Sequence, residues 1–290
     1  MNEYNASQLS ELYRSVLPSA DSVLIKAGTS VVTHPETGHP NPRRIEDLVD
    51  QAMKLYKQGK KVAIVTSGAI GAGKAAAKLK EDYGPDLADR QALASIGQVK
   101  LMRLYDEYFA KYGMNAGQFM ASRGDMLDYV HARNFLNTVA RLSRFNGFAV
   151  INENDPFSTE EIATDDGYMR GTISFGDNDK LSVMAAIVLN AKVLFYLSDE
   201  EGLMDYKSRR KINVIDDIKE ARKFVKNEKS RGGTGGMDAR LNSIEEALNA
   251  GITVVLLSGL QDQTVLRAIS GEHIGTLFLP KNFKYTAQGD

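Results

Sequence analysis

Asn152, Glu153, Asn154 and Asp155 close one apolar run, and Asp177, Asn178 and Asp179 open another, all within residues 150–182. Amide and carboxylate groups are costly to bury unless each finds a partner. Two such groups, one where a strand ends and one where a helix starts, therefore read as a ligand site. Lys26 is a second candidate. It interrupts the apolar run SVLIKAGTSVV directly before Gly28 and Thr29. A lysine there is either solvated at a sheet edge or set beside a turn whose backbone amides hold phosphate.

Glycine-rich turns supply the other candidates. KKVAIVTSGAIGAGKAAAKL, residues 60–79, reads as strand, turn and helix, an arrangement that offers helix N-terminal amides to an anion. Gly68, Gly73 and Lys74 nearly spell a phosphate-binding P-loop, but Ala75 stands where that motif needs Ser or Thr for magnesium. The same glycines could instead serve close packing. RGGTGGMDAR, from residue 231, is a phosphate loop or a flexible linker. The apolar run KVLFYLSDEEGL ends in Ser198 and Asp199, polar groups at the carboxyl end of a strand, where open α/β sheets bind ligands.

The elements that must position these groups follow from hydrophobic periodicity. Helices are expected at 7–17, 43–58, 89–112 with Gly97 as an interruption, 127–146, 180–190, 216–228, and after the 231–236 glycines. Strands are expected at 22–27, 60–66, 115–120, 147–152, 192–203, 252–258 and near 275–278, with a basic strand-like segment at 204–215. The lead-in helix over residues 1–20 reads as a packing or oligomer-contact element. Residues 204–228 read as surface structure. Alternating strands and helices predict a three-layer αβα sandwich around a mainly parallel sheet, in one large α/β domain or two smaller ones.

Composition narrows the chemistry. Lys plus Arg number 36 against 37 Asp plus Glu, which gives no electrostatic footprint for nucleic acid or an anionic membrane surface. With no cysteine there is no thiolate nucleophile or Cys-based zinc site, and His34, His39, His131 and His273 show no metal-ligand spacing. The first twenty residues carry Glu3 and Glu11 without a continuous apolar core, so a cytoplasmic protein acting on small molecules is expected.

Taken in order, IKAGTSVV, VTSGAIGAG, RQALASIGQ with LM, INEND, FGDNDKLS, LSDEEGL and GTGGMDARL resemble the amino acid kinase family over about residues 22–278. The resemblance implies transfer of the ATP γ-phosphoryl group to the side-chain carboxylate of L-glutamate, the opening step of proline synthesis. It implies a single domain over 21–290, with a glutamate part over about 21–180 and a nucleotide part over about 181–280. By position, Lys26, Asp179 and Arg240 become catalytic, with Asp179 orienting the cations. Ser67, Gly68 with Gly71, Asn152, Asp155 and Asn178 become glutamate contacts. Lys26, Gly28, Ser198, Asp199, Thr234, Gly235, Gly236, Met237 and Arg240 face ATP. Magnesium is carried by ATP rather than by protein ligands. The resemblance also implies a homodimer or homotetramer, and proline inhibition is a hypothesis for activity measurements.

The chemistry fits these roles. A glutamate side chain with a reference pKa near ~4.3 is already ionised at neutral pH, so no histidine base is required. Cations and amide dipoles must instead bring two anions into line. Three features depart from the family pattern. Arg240 stands where lysine is usual, TDDGYMRGT lengthens the segment between Glu161 and Phe175, and the chain stops soon after Phe278 without the PUA domain often appended. Aspartate, N-acetylglutamate or carbamate as acceptor, a non-catalytic amino-acid sensor, and a P-loop NTPase are the alternatives.

Overall fold

A computed structural model describes residues 6–80, 83–157, 178–225 and 236–281. The chain runs α1 (Ala6–Val16), β1 (Ser22–Ala27), α2 (Thr29–Val32), α3 (Pro42–Lys57), β2 (Lys61–Val65), α4 (Ala69–Ala76) and α5 (Leu87–Ala110). It continues through β3 (Asn115–Ala121), α6 (Arg123–Leu127), α7 (Tyr129–Leu142), β4 (Gly147–Glu153) and α8 (Asp179–Val188). The last elements are β5 (Val193–Ser198), β6 (Val214–Ile215), α9 (Ile218–Phe224), α10 (Gly236–Asn249), β7 (Thr253–Ser258), α11 (Thr264–Ile269) and β8 (Thr276–Phe278).

Among the described residues eight strands form one sheet in the order β3-β4-β2-β1-β5-β7-β8-β6. Among these eight strands β7 pairs with β8 antiparallel and the other pairings are parallel. The expected αβα sandwich is the observed architecture. Both faces of the sheet are covered, which is why its strands read as unbroken apolar runs. Side chains alternate across a strand, so Val23, Ile25 and Ala27 of β1 join one core with α1, α3, α5 and α11. Leu24 of β1 joins the other core with Leu181 of α8, Ala221 of α9 and Leu241 of α10. The same pleat turns Lys26 toward α8 and α10. Because β1 lies inside the sheet between β2 and β5, the edge-lysine alternative is excluded.

The lead-in helix packs into the domain: Leu12, Tyr13 and Leu17 are buried. The Tyr13 hydroxyl donates to the carbonyls of Asn213 and Ile274 at 3.3 and 3.2 Å, and its ring meets His273 with centroids 5.5 Å apart. Of three expectations about elements, one is sharpened at its ends and two are corrected. The helix expected at 127–146 is present as α7, Tyr129–Leu142, closed by a 3-10 turn at Ser143–Phe145, and a short separate helix, α6, precedes it. Ser122 and Asp125 close a capping box on α6, and Asp128 then caps α7 by accepting from the His131 backbone at 2.9 Å, so the chain turns at Asp128. Residues 204–228 are not simply surface structure, since Val214, Ile215, Ile218 and Ala221 are buried beneath the β8 side of the sheet.

Gly97, the third, does not interrupt α5. A Cβ there would stand 1.8 Å from the Ala69 carbonyl oxygen and 2.4 Å from the Gly73 nitrogen, so the missing side chain lets α4 and α5 touch through their backbones. Gly73 serves the same contact from the other side, with an added Cβ 1.9 Å from the Leu93 carbonyl oxygen. Two of these glycines therefore answer to packing. Gly68 answers to conformation instead: it caps α4 in the left-handed region at φ 96°. Gly97→Ala is expected to destabilise the fold by about 1 to 3 kcal/mol by forcing the helices apart, read as a lower urea midpoint at unchanged slope. Gly84→Ala, where nothing lies within 4 Å of the new methyl, should stay within about 0.5 kcal/mol.

Candidate active site

The carboxyl ends of β1, β2, β4 and β5 carry the candidate residues. At the end of β1, Lys26 is 1% exposed and its Nζ lies 2.5 Å from Oδ1 of Asp179, which opens α8. The other carboxylate oxygen of Asp179 faces Nε of Arg240, on the first turns of α10, at 3.4 Å. One buried carboxylate thus sits between two cations delivered by different elements. Burying these charges carries a desolvation cost that their mutual attraction must offset, so the pairing is tightly constrained. Asp179 also stands at a helix N-terminus, where negative charge is favoured.

Tyr196 of β5 holds this arrangement. It is in register with Lys26 across the parallel pair, and its ring centroid is 5.9 Å from Nζ, within reach of a cation–π contact. Its hydroxyl donates to the Asp179 carbonyl at 2.9 Å and accepts from Ser182 Oγ at 3.1 Å. The start of α8 is therefore pinned to the sheet. Gly28 follows Lys26 closely: a Cβ there would lie 3.3 Å from the Leu197 carbonyl oxygen and 3.5 Å from Lys26 Nζ. A side chain at this position would crowd the ammonium.

Beside the cations lies a neutral network. Asn178 Nδ2 donates to the Thr66 carbonyl, to Ser67 Oγ and to Asn152 Oδ1 at 2.8, 3.0 and 2.9 Å. The Glu153 backbone N–H donates to Asn152 Oδ1 and Asn178 Oδ1 at 2.9 and 3.1 Å. Asn152 Nδ2 donates to Gln98 Oε1 at 2.7 Å. Thr66 Oγ1 and the Tyr105 hydroxyl share a hydrogen bond of 2.7 Å. Burial holds the Tyr105 phenol well above its usual pKa, so it remains a neutral partner. Ser67, Gln98, Asn152, Asp155, Asn178 and Asp179 are all buried.

The two polar groups flagged in the sequence thus meet through Asn152 and Asn178, with Ser67 bonded to Asn178 and Asp155 buried just past the end of β4. Ser198 and Asp199 close β5; Ser198 is buried, and Asp199 accepts from Ser30 Oγ at 3.3 Å. Met237 packs half-buried near the start of α10, which Gly236 opens. Thr234, Gly235, Asp177 and the lengthened 162–175 segment lie outside the described residues. Lys74, the lysine of the P-loop alternative, donates to the Tyr83 carbonyl at 3.3 Å and joins neither the cation pair nor the amide network. Among the described residues no cluster of three or more His, Asp or Glu could hold a metal, and no helix is long and apolar enough to cross a membrane.

Comparison with known proteins decides the family. Residues 21–258 match the model of the amino acid kinase family. The chain belongs to that family. A glutamate 5-kinase of Clostridium acetobutylicum is 36% identical over 272 residues, covering 92% of this chain and 97% of that protein. One from Moorella thermoacetica is 34% identical over 277 residues, covering 93% of this chain and 70% of that protein. Among solved structures, a carbamate kinase from Giardia lamblia bound to AMP-PNP superposes with a TM-score of 0.60 at 16% identity over 90% of this chain and 99% of that one. A UMP kinase from Bacillus anthracis does so at 0.58 and 14%, over 91% and 97%. At such identities these two show the amino acid kinase fold alone.

Gln98, Thr66, Tyr105, Tyr196 and Ser182 were not singled out as site residues from the sequence. Gln98 carried a signal all the same. It is a polar residue on the face of α5 shared by Ala94, Leu101, Met102 and Tyr105, where burial demands a partner. Asp179→Asn keeps the side chain's shape but removes the charge opposite buried Lys26. It is expected to cost about 3 kcal/mol of stability in denaturant unfolding, while Asp199→Asn, at an exposed position, should stay within about 0.5 kcal/mol.

Proposed function

We propose that the protein transfers the γ-phosphoryl group of ATP to the γ-carboxylate of L-glutamate, the reaction named by its glutamate 5-kinase relatives. The observation that carries the reading is the meeting of Lys26, Asp179 and Arg240 beside an amide network at one sheet edge. Phosphoryl transfer between two anions needs fixed cations where charge develops and a neutral, hydrogen-bonding cradle for the acceptor. Both are supplied by groups that the fold holds in place before substrate arrives.

In this reading a γ-carboxylate oxygen of glutamate attacks the γ-phosphorus. The bond to the β,γ-bridging oxygen breaks, and ADP departs with that electron pair. No proton is transferred, because the acceptor is already ionised. Lys26 and Arg240 neutralise charge on the phosphoryl oxygens, and Asp179 aims them. Gly28, Ser198, Asp199 and the 234–240 loop border the nucleotide. Ser67, Asn152, Asp155 and Asn178 serve the amino acid, whose ammonium is matched by carboxylate and amide acceptors. Both Asp179 oxygens already face cations, which fits an organiser of charge and leaves magnesium to the ATP phosphates. When bound, that ion neutralises charge on the phosphate oxygens.

Incubation with ATP, magnesium, glutamate and hydroxylamine should trap the acyl phosphate as hydroxamate, at a higher rate than with aspartate, N-acetylglutamate or carbamate. Lys26→Ala is expected to lower kcat at least about 100-fold in protein that still folds but with lower stability, because the buried Asp179 carboxylate keeps Arg240 and loses Lys26. Lys74→Ala should leave most of the rate. The reverse result would overturn the assignment of the phosphate-facing lysine, and absence of hydroxamate from folded wild-type protein would overturn the reaction.

A further inference from the structure

Gln98 has no assigned role, yet its orientation is dictated from outside itself. The backbone carbonyl of Thr66 can only accept, so Asn178 must present Nδ2 to it. The backbone N–H of Glu153 can only donate, so Asn178 and Asn152 must present Oδ1 to it. Asn152 is left with Nδ2 toward α5, and Gln98 must answer with Oε1. Amide orientation is often ambiguous, but here two backbone groups settle every step. The consequence is that Gln98 Nε2 is turned outward from the network. It is buried, and no acceptor reaches it among the described residues.

A buried donor without a partner calls for an explanation such as a ligand. The place of Gln98 says which part of a ligand. Along β4, Phe148 and Val150 face the α3–α5 core while Ala149 and Ile151 face the α8–α10 core. Continuing the alternation, Asn152 faces α5 and Gln98, whereas Lys26 faces α8 and Asp179. The run Lys26–Asp179, Asn178, Asn152, Gln98 thus crosses the carboxyl edge of the sheet from one face to the other. An acceptor with its reacting carboxylate at Lys26 extends its far end toward Gln98. Ser67, Asn152, Asp155 and Asn178, the groups read as acceptor contacts, are as buried as Gln98, so burial does not set Gln98 apart from them.

We propose that Gln98 Nε2 is a specificity-determining donor to the α-carboxylate of the acceptor amino acid. This rests on the glutamate kinase reading given above. Gln98→Glu tests it, because the variant keeps an oxygen for Asn152 and replaces the outward donor by an anionic acceptor. The expected result is a KM for glutamate raised about 10-fold or more, with the KM for ATP changed less than about threefold. Protonation of the new carboxyl restores a donor, so the defect should shrink between pH 8 and pH 6 while wild type shows no such recovery. A Gln98 that only steadies Asn152 would give a near-normal KM and no recovery on acidification, and that outcome would overturn the proposal.

Should the variant fail to fold, glutamine-selective 15N labelling of wild type gives an independent readout. The Gln98 side-chain amide signal should shift on adding glutamate, and an unmoved signal at saturating glutamate would equally sink the idea. Failure of the underlying reading looks different: wild-type protein would then form no hydroxamate from glutamate at all.

Discussion

The buried pair of Lys26 and Asp179 is the constraint on which the site depends. A lysine at 1% exposure inside a covered sheet is tolerable only with a carboxylate fixed against it. That carboxylate comes from the first residue of α8, far along the chain. The start of α8 must therefore be held to the sheet, and Tyr196 does so by donating to the Asp179 carbonyl. Tyr196 reaches it because β5 pairs with β1 in parallel and in register. One ion pair thus requires a central β1, a parallel β5 beside it, and a helix crossing their carboxyl ends.

The pleat of the sheet then divides the labour. Odd-numbered residues of β1 pack toward α3 and α5, and the even-numbered Leu24 and Lys26 face α8 and α10. On β4 the even-numbered Asn152 belongs to the opposite face. Cations gather on one side of the edge and amides on the other, with Asn178 spanning the top. The separation is chemically useful. In the proposed reading, charges that would serve a phosphoryl group stay away from neutral groups that accept or donate hydrogen bonds without titrating.

Much of this was legible from residue types. The apolar runs ending in Lys26, Asn152 and Ser198 gave the strands and their chemically active ends, and the period of the helices gave the layers. What sequence could not give was pairing order. The order β2-β1-β5, which places Lys26 in the interior, is a long-range fact that local patterns do not encode. Glycines were ambiguous for a related reason. Gly68 needs its left-handed backbone while Gly73 and Gly97 need only room, yet both needs write the same letter. Gln98 and Tyr105 were hidden because a polar residue on an apolar helix face announces a partner without naming it.

The amide network also bears on how an acceptor's length is read. A pocket of apolar contacts distinguishes one methylene by only about 1 to 3 kcal/mol. A pocket whose buried donors must all be matched discriminates more strongly, because a ligand too short to reach one of them leaves it unsatisfied. In the proposed reading the two ends of the acceptor are held on opposite faces of the sheet, so the span between them is set by the backbone of β2 and β4 and not by mobile side chains. Anchoring Asn152 and Asn178 on the Glu153 N–H and the Thr66 carbonyl makes that span part of the fold itself. Selectivity for a glutamate-length acceptor then follows from the same strand geometry that buries Lys26.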